Sequence, residues 1–210
     1  SSAASDVYKR QGQVVVDFTP EPLTQDVSFV FHIEKKADVV VDSLTAEISG
    51  IPSTMELTTG LILAQKTYKL LFRPTYAALP SAADSASAEA LRCEASVNIP
   101  GIVRSHTEDM VTGPGILQIA IYTHYDYEEE GTQRKAAKVF HAGINLYHTL
   151  KERKSLQWDE EENGYRQASR SITVEIGSPL NIDKDGILNG GSTSTGLDQW
   201  IPGETFEIEV

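Results

Sequence analysis

The sequence predicts an all-β protein, an antiparallel sandwich of about seven or eight strands with at most one short helix. Two observations carry that prediction. Apolar residues alternate with polar ones at period 2 in several separate segments, among them Val27/Phe29/Phe31/Ile33, Leu117/Ile119/Ile121, Ile172/Val174/Ile176 and the closing Phe206/Ile208/Val210. Turn-forming Gly, Pro, Asn and Asp residues punctuate these segments at short intervals, and no heptad pattern or internal repeat competes with them. A chain of 210 residues, 40% of them hydrophobic, suits one large β domain or two small ones with a real core.

Residues 1–11 match none of the patterns that follow. Residues 14–18 are β-branched and aromatic, and Pro20 and Pro22 end them because proline supplies no ladder donor. The Val27–Ile33 alternation then runs to a polar turn at Lys35-Lys36. A long apolar run over residues 39–48 is expected to close at Ser49-Gly50-Ile51-Pro52, and Tyr68, Leu70 and Phe72 mark the next strand. Residues 76–90, mostly Ala and Ser around Pro80, suit a long loop, a short helix or a linker, so a division of the chain there is the alternative to one domain. Residues 91–99 form a strand with Cys93 on its inner face. The Leu117–Ile121 segment reads as a central strand, residues 128–131 as a hairpin tip and residues 136–140 as its return. Leu146, Tyr147 and Leu150 have helical spacing, which makes residues 145–154 the short helix or an irregular strand. Residues 181–195 read as a loop, and Trp200, Pro202 and Gly203 lead into the terminal strand.

A formal net charge of -12 argues against nucleic acid, which needs clustered Lys and Arg. The basic cluster at Lys151, Arg153 and Lys154 is followed closely by acidic residues 159–162. Cys93 is the single cysteine, which excludes an intrachain disulfide and a thiolate metal cluster; a buried structural thiol is expected. No run approaches the roughly 18 apolar residues of a membrane span.

The sharpest chemical candidate is Asn181-Ile182-Asp183-Lys184-Asp185-Gly186, which follows the first half of a calcium loop: oxygen ligands at alternate positions, then glycine for the tight turn. Ser192 stands where the bidentate Glu belongs, so Asn181, Asp183 and Asp185 read first as a turn and only second as metal ligands. His32, His106, His124, His141 and His148 show neither i, i+2 nor i, i+4 spacing, which leaves His124 with His141 across a hairpin as the one pairing a metal would use. No Gly-x-Ser-x-Gly elbow exists, and Gly113-Pro114-Gly115 lacks the Lys-Ser/Thr of a phosphate loop. Acid pairs such as Glu128/Glu129 and Glu160/Glu161 lie in polar runs without the apolar setting a catalytic acid needs. These observations predict no enzyme and no cofactor. Tyr122, Tyr125, Tyr127, Tyr147 and Trp158 offer a stacking platform for sugar, the alternative reading being a surface carbohydrate-binding module.

Several segments taken together resemble the fimbrillin-like surface proteins of Bacteroidales. They are residues 44–52 (LTAEISGIP) with 55–60 (MELTTG), residues 112–118 (TGPGILQ), residues 142–147 (AGINLY), and the closing Trp200 with residues 206–210 (FEIEV). Their order spans most of residues 13–210. The resemblance implies a transthyretin-like β-sandwich, an exported lipoprotein of the outer membrane and cell surface, and a stalk, tip or anchor role in pili or adhesion. It also implies that residues 12–210 are the second domain of a longer protein, whose first domain, signal peptide and lipid-bearing cysteine lie upstream. Residues 1–11 resemble a translated sequencing adapter and are expected to be non-native. Partners would be other pilus or surface subunits, joined by β-strand addition, in which a terminal strand completes a neighbour's sheet. Phe206, Ile208 and Val210 would be the assembly strand. In this chain they are expected to complete the sheet of their own domain, with all three side chains turned inward at about 1.5–3 kcal/mol each.

Overall fold

The computed structural model describes residues 23–80, 88–104, 112–159, 164–188 and 200–208. Residues 1–11, the expected strand at 14–18, His106, Ser192 and Val210 lie outside them. The described chain is an all-β sandwich with one short helix, as the alternation predicts. It holds more strands than the seven or eight expected, because several are only three to five residues long.

Five strands make one sheet: β1 (Gln25–Lys36), β4 (Thr75–Ala78), β5 (Ala88–Ile99), β10 (Ser171–Glu175) and β11 (Leu180–Ile182). Their order is β10-β1-β5-β4, with β11 beside β1. β10 and β11 run parallel to β1, and the other pairs are antiparallel. The second sheet has the order β12-β7-β6-β2-β3-β9-β8 and is antiparallel throughout. It contains β2 (Val39–Met55), β3 (Ile62–Phe72), β6 (Ile116–Glu129), β7 (Thr132–Asn145), β8 (Leu156–Asp159), β9 (Gly164–Gln167) and β12 (Ile201–Ile208).

The core lies between the sheets. Val27, Phe29, Phe31 and Ile33 of β1 and Leu91, Cys93, Val97 and Ile99 of β5 face Leu44, Ala46 and Ile48 of β2, Leu117, Ile119 and Ile121 of β6, and Phe140, Ala142 and Ile144 of β7. Residues on both sides of segment 76–90 enter this one cluster. Burying these chains is the main favourable term, at roughly 25 cal/mol per Å² of apolar surface.

The expected hairpin at residues 128–131 is a two-residue turn: Glu129 pairs with Thr132, while Glu130 (φ 52°) and Gly131 (φ 77°) are both left-handed. Two positive φ values match the twist of the flanking strands, so the long β6–β7 ribbon closes without splaying. After β7 the chain turns into helix α1 (Leu146–Glu152), capped by Asn145, whose side chain accepts from the His148 N–H at 3.2 Å.

The structure corrects the sequence at three points. Ser49-Gly50-Ile51-Pro52 does not end β2; the strand continues to Met55 through register shifts, and the expected turn becomes bulges. Gly50 has φ +76°, and a Cβ there would meet Gly115 N at 2.5 Å, so close strand approach selects this glycine. Lys35 and Lys36 are strand residues, with Lys35 buried against Glu89 at 2.7 Å; the turn falls at Ala37-Asp38. Asn181 and Ile182, expected as loop, belong to β11.

Candidate functional site

β12 is the edge strand of the larger sheet. Among the described residues it pairs with β7 alone, placing Thr205 opposite Phe140, Phe206 opposite Val139, Glu207 opposite Lys138 and Ile208 opposite Ala137. Phe140 points into the core, so Thr205 and Glu207 share the inward side while Phe206 and Ile208 share the outward side with Val139 and Ala137. The expectation that Phe206 and Ile208 are buried is therefore corrected: they are 50% and 45% exposed. Alternation identified two faces of the strand and could not say which one meets the core. The strand does complete a sheet of its own chain; Val210 lies beyond the described residues.

Three contacts tie β12 down. The Lys138 ammonium, itself buried, sits 3.3 Å from a Glu207 carboxylate oxygen and 5.6 Å from the centre of the Tyr125 ring. Burial alone would lower the Lys138 pKa, but the Glu207 carboxylate and the Tyr125 hydroxyl outweigh it and hold the pKa above the usual lysine value. His141 Nδ1–H donates to the Glu204 carbonyl at 3.0 Å, and its ring meets Phe206 edge-on at 5.4 Å. A bulge lies between Pro202 and Thr205, where Gly203 passes close to His141; a Cβ on Gly203 would stand 3.1 Å from that of His141.

Beyond β12 the outward side of this sheet carries two rows in register. Phe206, Val139, Tyr122 and Ser43 form one, and Ile208, Ala137, His124 and Val40 the other. Val40 is 44% exposed, and His124 Nδ1 pairs with the Asp42 carboxylate at 2.8 Å.

The sequence-selected residues fall elsewhere. Asp183 Oδ1 accepts from the backbone N–H groups of Asp185 (2.8 Å) and Gly186 (2.9 Å), and Leu188 N–H donates to the Asn181 carbonyl at 2.7 Å. This is an Asx turn closing a tight loop after β11. His124 stands opposite Ala137 and His141 opposite Ala120, four positions apart along the ribbon, so the hairpin does not bring them together. Among the described residues no group of three or more His, Cys, Asp or Glu is placed to hold a metal. Cys93 is fully buried, and burial pushes its thiol pKa up to about 12, as suits a structural thiol. Of the tyrosines, Tyr147 is core, Tyr122 is half-buried, and Tyr125 and Tyr127 lie 6.2 Å apart near the ribbon tip; they form no common platform.

Comparison with protein-family models, with curated proteins and with solved structures gave no match. No described helix is long and apolar enough to cross a membrane.

Lys138 was missed at sequence level. Its signal was a lysine on the Phe140 side of the mainly apolar stretch 136–144, two residues before that phenylalanine.

Proposed function

We propose that this chain is a non-catalytic, fimbrillin-like subunit of a cell-surface assembly, exported and joined to other subunits of a pilus or adhesive structure by β-strand addition. The observation that carries the reading is β12, which among the described residues is held by β7 alone and carries two large apolar side chains half exposed. Such a strand contributes little to the core, so its exchange for a strand of the same sequence in another molecule leaves that core intact. The ladder to β7 and the Lys138–Glu207 pair are recovered in the partner. The segment resemblance to fimbrillin-like proteins supports the same reading and supplies the surface location and the lipid anchor.

The test is removal of residues 204–210. The shortened chain should stay folded by near-ultraviolet circular dichroism, and should bind a synthetic peptide of residues 200–210 added in trans. If it folds normally and takes up neither the peptide nor the intact chain's terminal strand, β12 has no assembly role and the reading fails.

A further inference from the structure

The terminal segment repeats at period 2, with Thr205, Glu207 and Glu209 in one set and Phe206, Ile208 and Val210 in the other. A slip of two residues against β7 would keep each set on its own side, so alternation alone leaves the register of β12 open. Two contacts close it. The first is Lys138, buried on the inward side of β7 with the Tyr125 ring 5.6 Å from its ammonium. A Glu207 carboxylate oxygen reaches that ammonium at 3.3 Å; the lysine side chain is 10% exposed and that of Glu207 80%. The acid can therefore leave for water, whereas the ammonium cannot, and the cost of parting them falls on Lys138. A slip that sets Thr205 opposite Lys138 gives the ammonium only a hydroxyl. The opposite slip brings up Glu209 but carries Glu207 opposite Phe140, which is fully buried.

The second contact is the bulge between Pro202 and Thr205. A Cβ on Gly203 would stand 3.1 Å from that of His141 and 3.3 Å from the His141 carbonyl oxygen, while the His141 ring is held by its bond to the Glu204 carbonyl at 3.0 Å. A branched side chain at position 203 would push the two strands apart.

We propose that Lys138 and His141 make the β7 edge a selective acceptor: it takes an antiparallel strand that carries a glycine and, four residues on, a carboxylate, in one register. For an incoming strand this rests on the strand-addition reading; for the chain's own β12 it does not. The occupant is the terminal strand of a second copy of this chain, whose Gly203 and Glu207 supply both marks. A strand with lysine or a neutral residue at the second mark leaves the buried ammonium opposed or unanswered.

The experiment uses the full 210-residue chain in four forms: natural, Lys138→Glu, Glu207→Lys and both changes together. Amide exchange at Phe206 and Ile208 reports how firmly β12 is held. Each single reversal should speed exchange about tenfold, from attraction lost and repulsion gained, and the double change should return it to within about threefold of the natural chain. Rescue of that kind separates a specific pair from a merely structural lysine. Glu207→Lys alters an exposed side chain, so it reads the pair even where Lys138→Glu unfolds the chain. Gly203→Val should speed exchange as well. A labelled peptide of residues 200–210 is then added in excess. The natural chain should take up the natural peptide, and the Lys138→Glu chain should prefer the peptide carrying Glu207→Lys by about tenfold. Exchange that ignores Glu207→Lys, a double change without rescue, or peptide uptake without regard to charge overturns the selectivity, while uptake itself keeps strand addition. If exchange and rescue are as expected and no chain takes up any peptide, strand addition fails and the setting of β12 by Lys138 stands.

Discussion

The two outward faces of the sandwich are built alike and dressed in opposite ways. On the five-stranded sheet, side chains opposite one another bond to each other: Asn98 donates to Asp26 at 2.6 Å and Ser28 to Ser96 at 3.2 Å, while Arg92 pairs with Glu94 at 2.6 Å along β5. On the seven-stranded sheet the region beside β12 carries Val40, Ala137, Val139, Phe206 and Ile208, with Val139 buried between Phe206 and Tyr122, while the His124–Asp42 and Lys69–Glu47 pairs supply its polar contacts. The faces behind them contribute to one continuous core. The difference teaches that packing is shared by the two sheets while surface chemistry is not.

That contrast makes an ordered set of expectations. Phe140→Ala, on the inward side of β7, should cost about 3–5 kcal/mol in urea unfolding, because a fully buried ring leaves a cavity. Gly50→Ala should cost about 2–4 kcal/mol, since the new methyl must displace the backbone at Gly115 from a left-handed conformation.

The double change Phe206→Ser with Ile208→Ser should cost only about 1–2 kcal/mol, as each side chain is half exposed already, and should lower binding of a hydrophobic dye. A loss as large as that of Phe140→Ala would erase the distinction between core and outward face. Lys138→Met should cost less than about 1 kcal/mol near neutral pH and change the alkaline limb. The folded pKa of Lys138 lies above the ordinary value near 10.4, so its contribution is complete below that value and is lost as pH rises through the folded pKa. Melting temperature followed upward from about pH 10 should therefore fall more steeply for the natural chain than for Lys138→Met. Smallest of all, Ser28→Ala should change stability by no more than about 0.5 kcal/mol, since its hydroxyl pair is exposed.

Much of the scaffold could be read from residues alone. The alternation of Val27 to Ile33 and of Leu117 to Ile121 placed the strands and their buried sides correctly, because both lie at sheet centres where one face must be covered. The terminal strand misled because an edge strand buries neither side well, so its alternation carries no sign. Pro52 misled because a bulge tolerates what a regular ladder rejects. A row of hydroxyls on the five-stranded sheet was beyond reach for another reason. Thr173, Ser28 and Ser96 are ordinary outward residues on three strands, and only the register of β10, β1 and β5 brings them into one row. By contrast, Asn181 to Gly186 could be read first as a turn, as the Asp183 hydrogen bonds show, although calcium loops use the same short oxygen-bearing residues.

The parallel pairing of β1 with β10 sets a timetable for the chain. Asp26 meets Ser171 and Val30 meets Glu175, partners separated by well over a hundred residues. On a ribosome adding about 5–20 residues per second, β1 waits roughly 7–30 s for that neighbour, far longer than hairpin formation takes. During that wait the β6–β7 ribbon can form from local contacts, whereas β1 keeps one edge open beside β5. Until β10 arrives, that edge of β1 is exposed to pairing with the wrong strand.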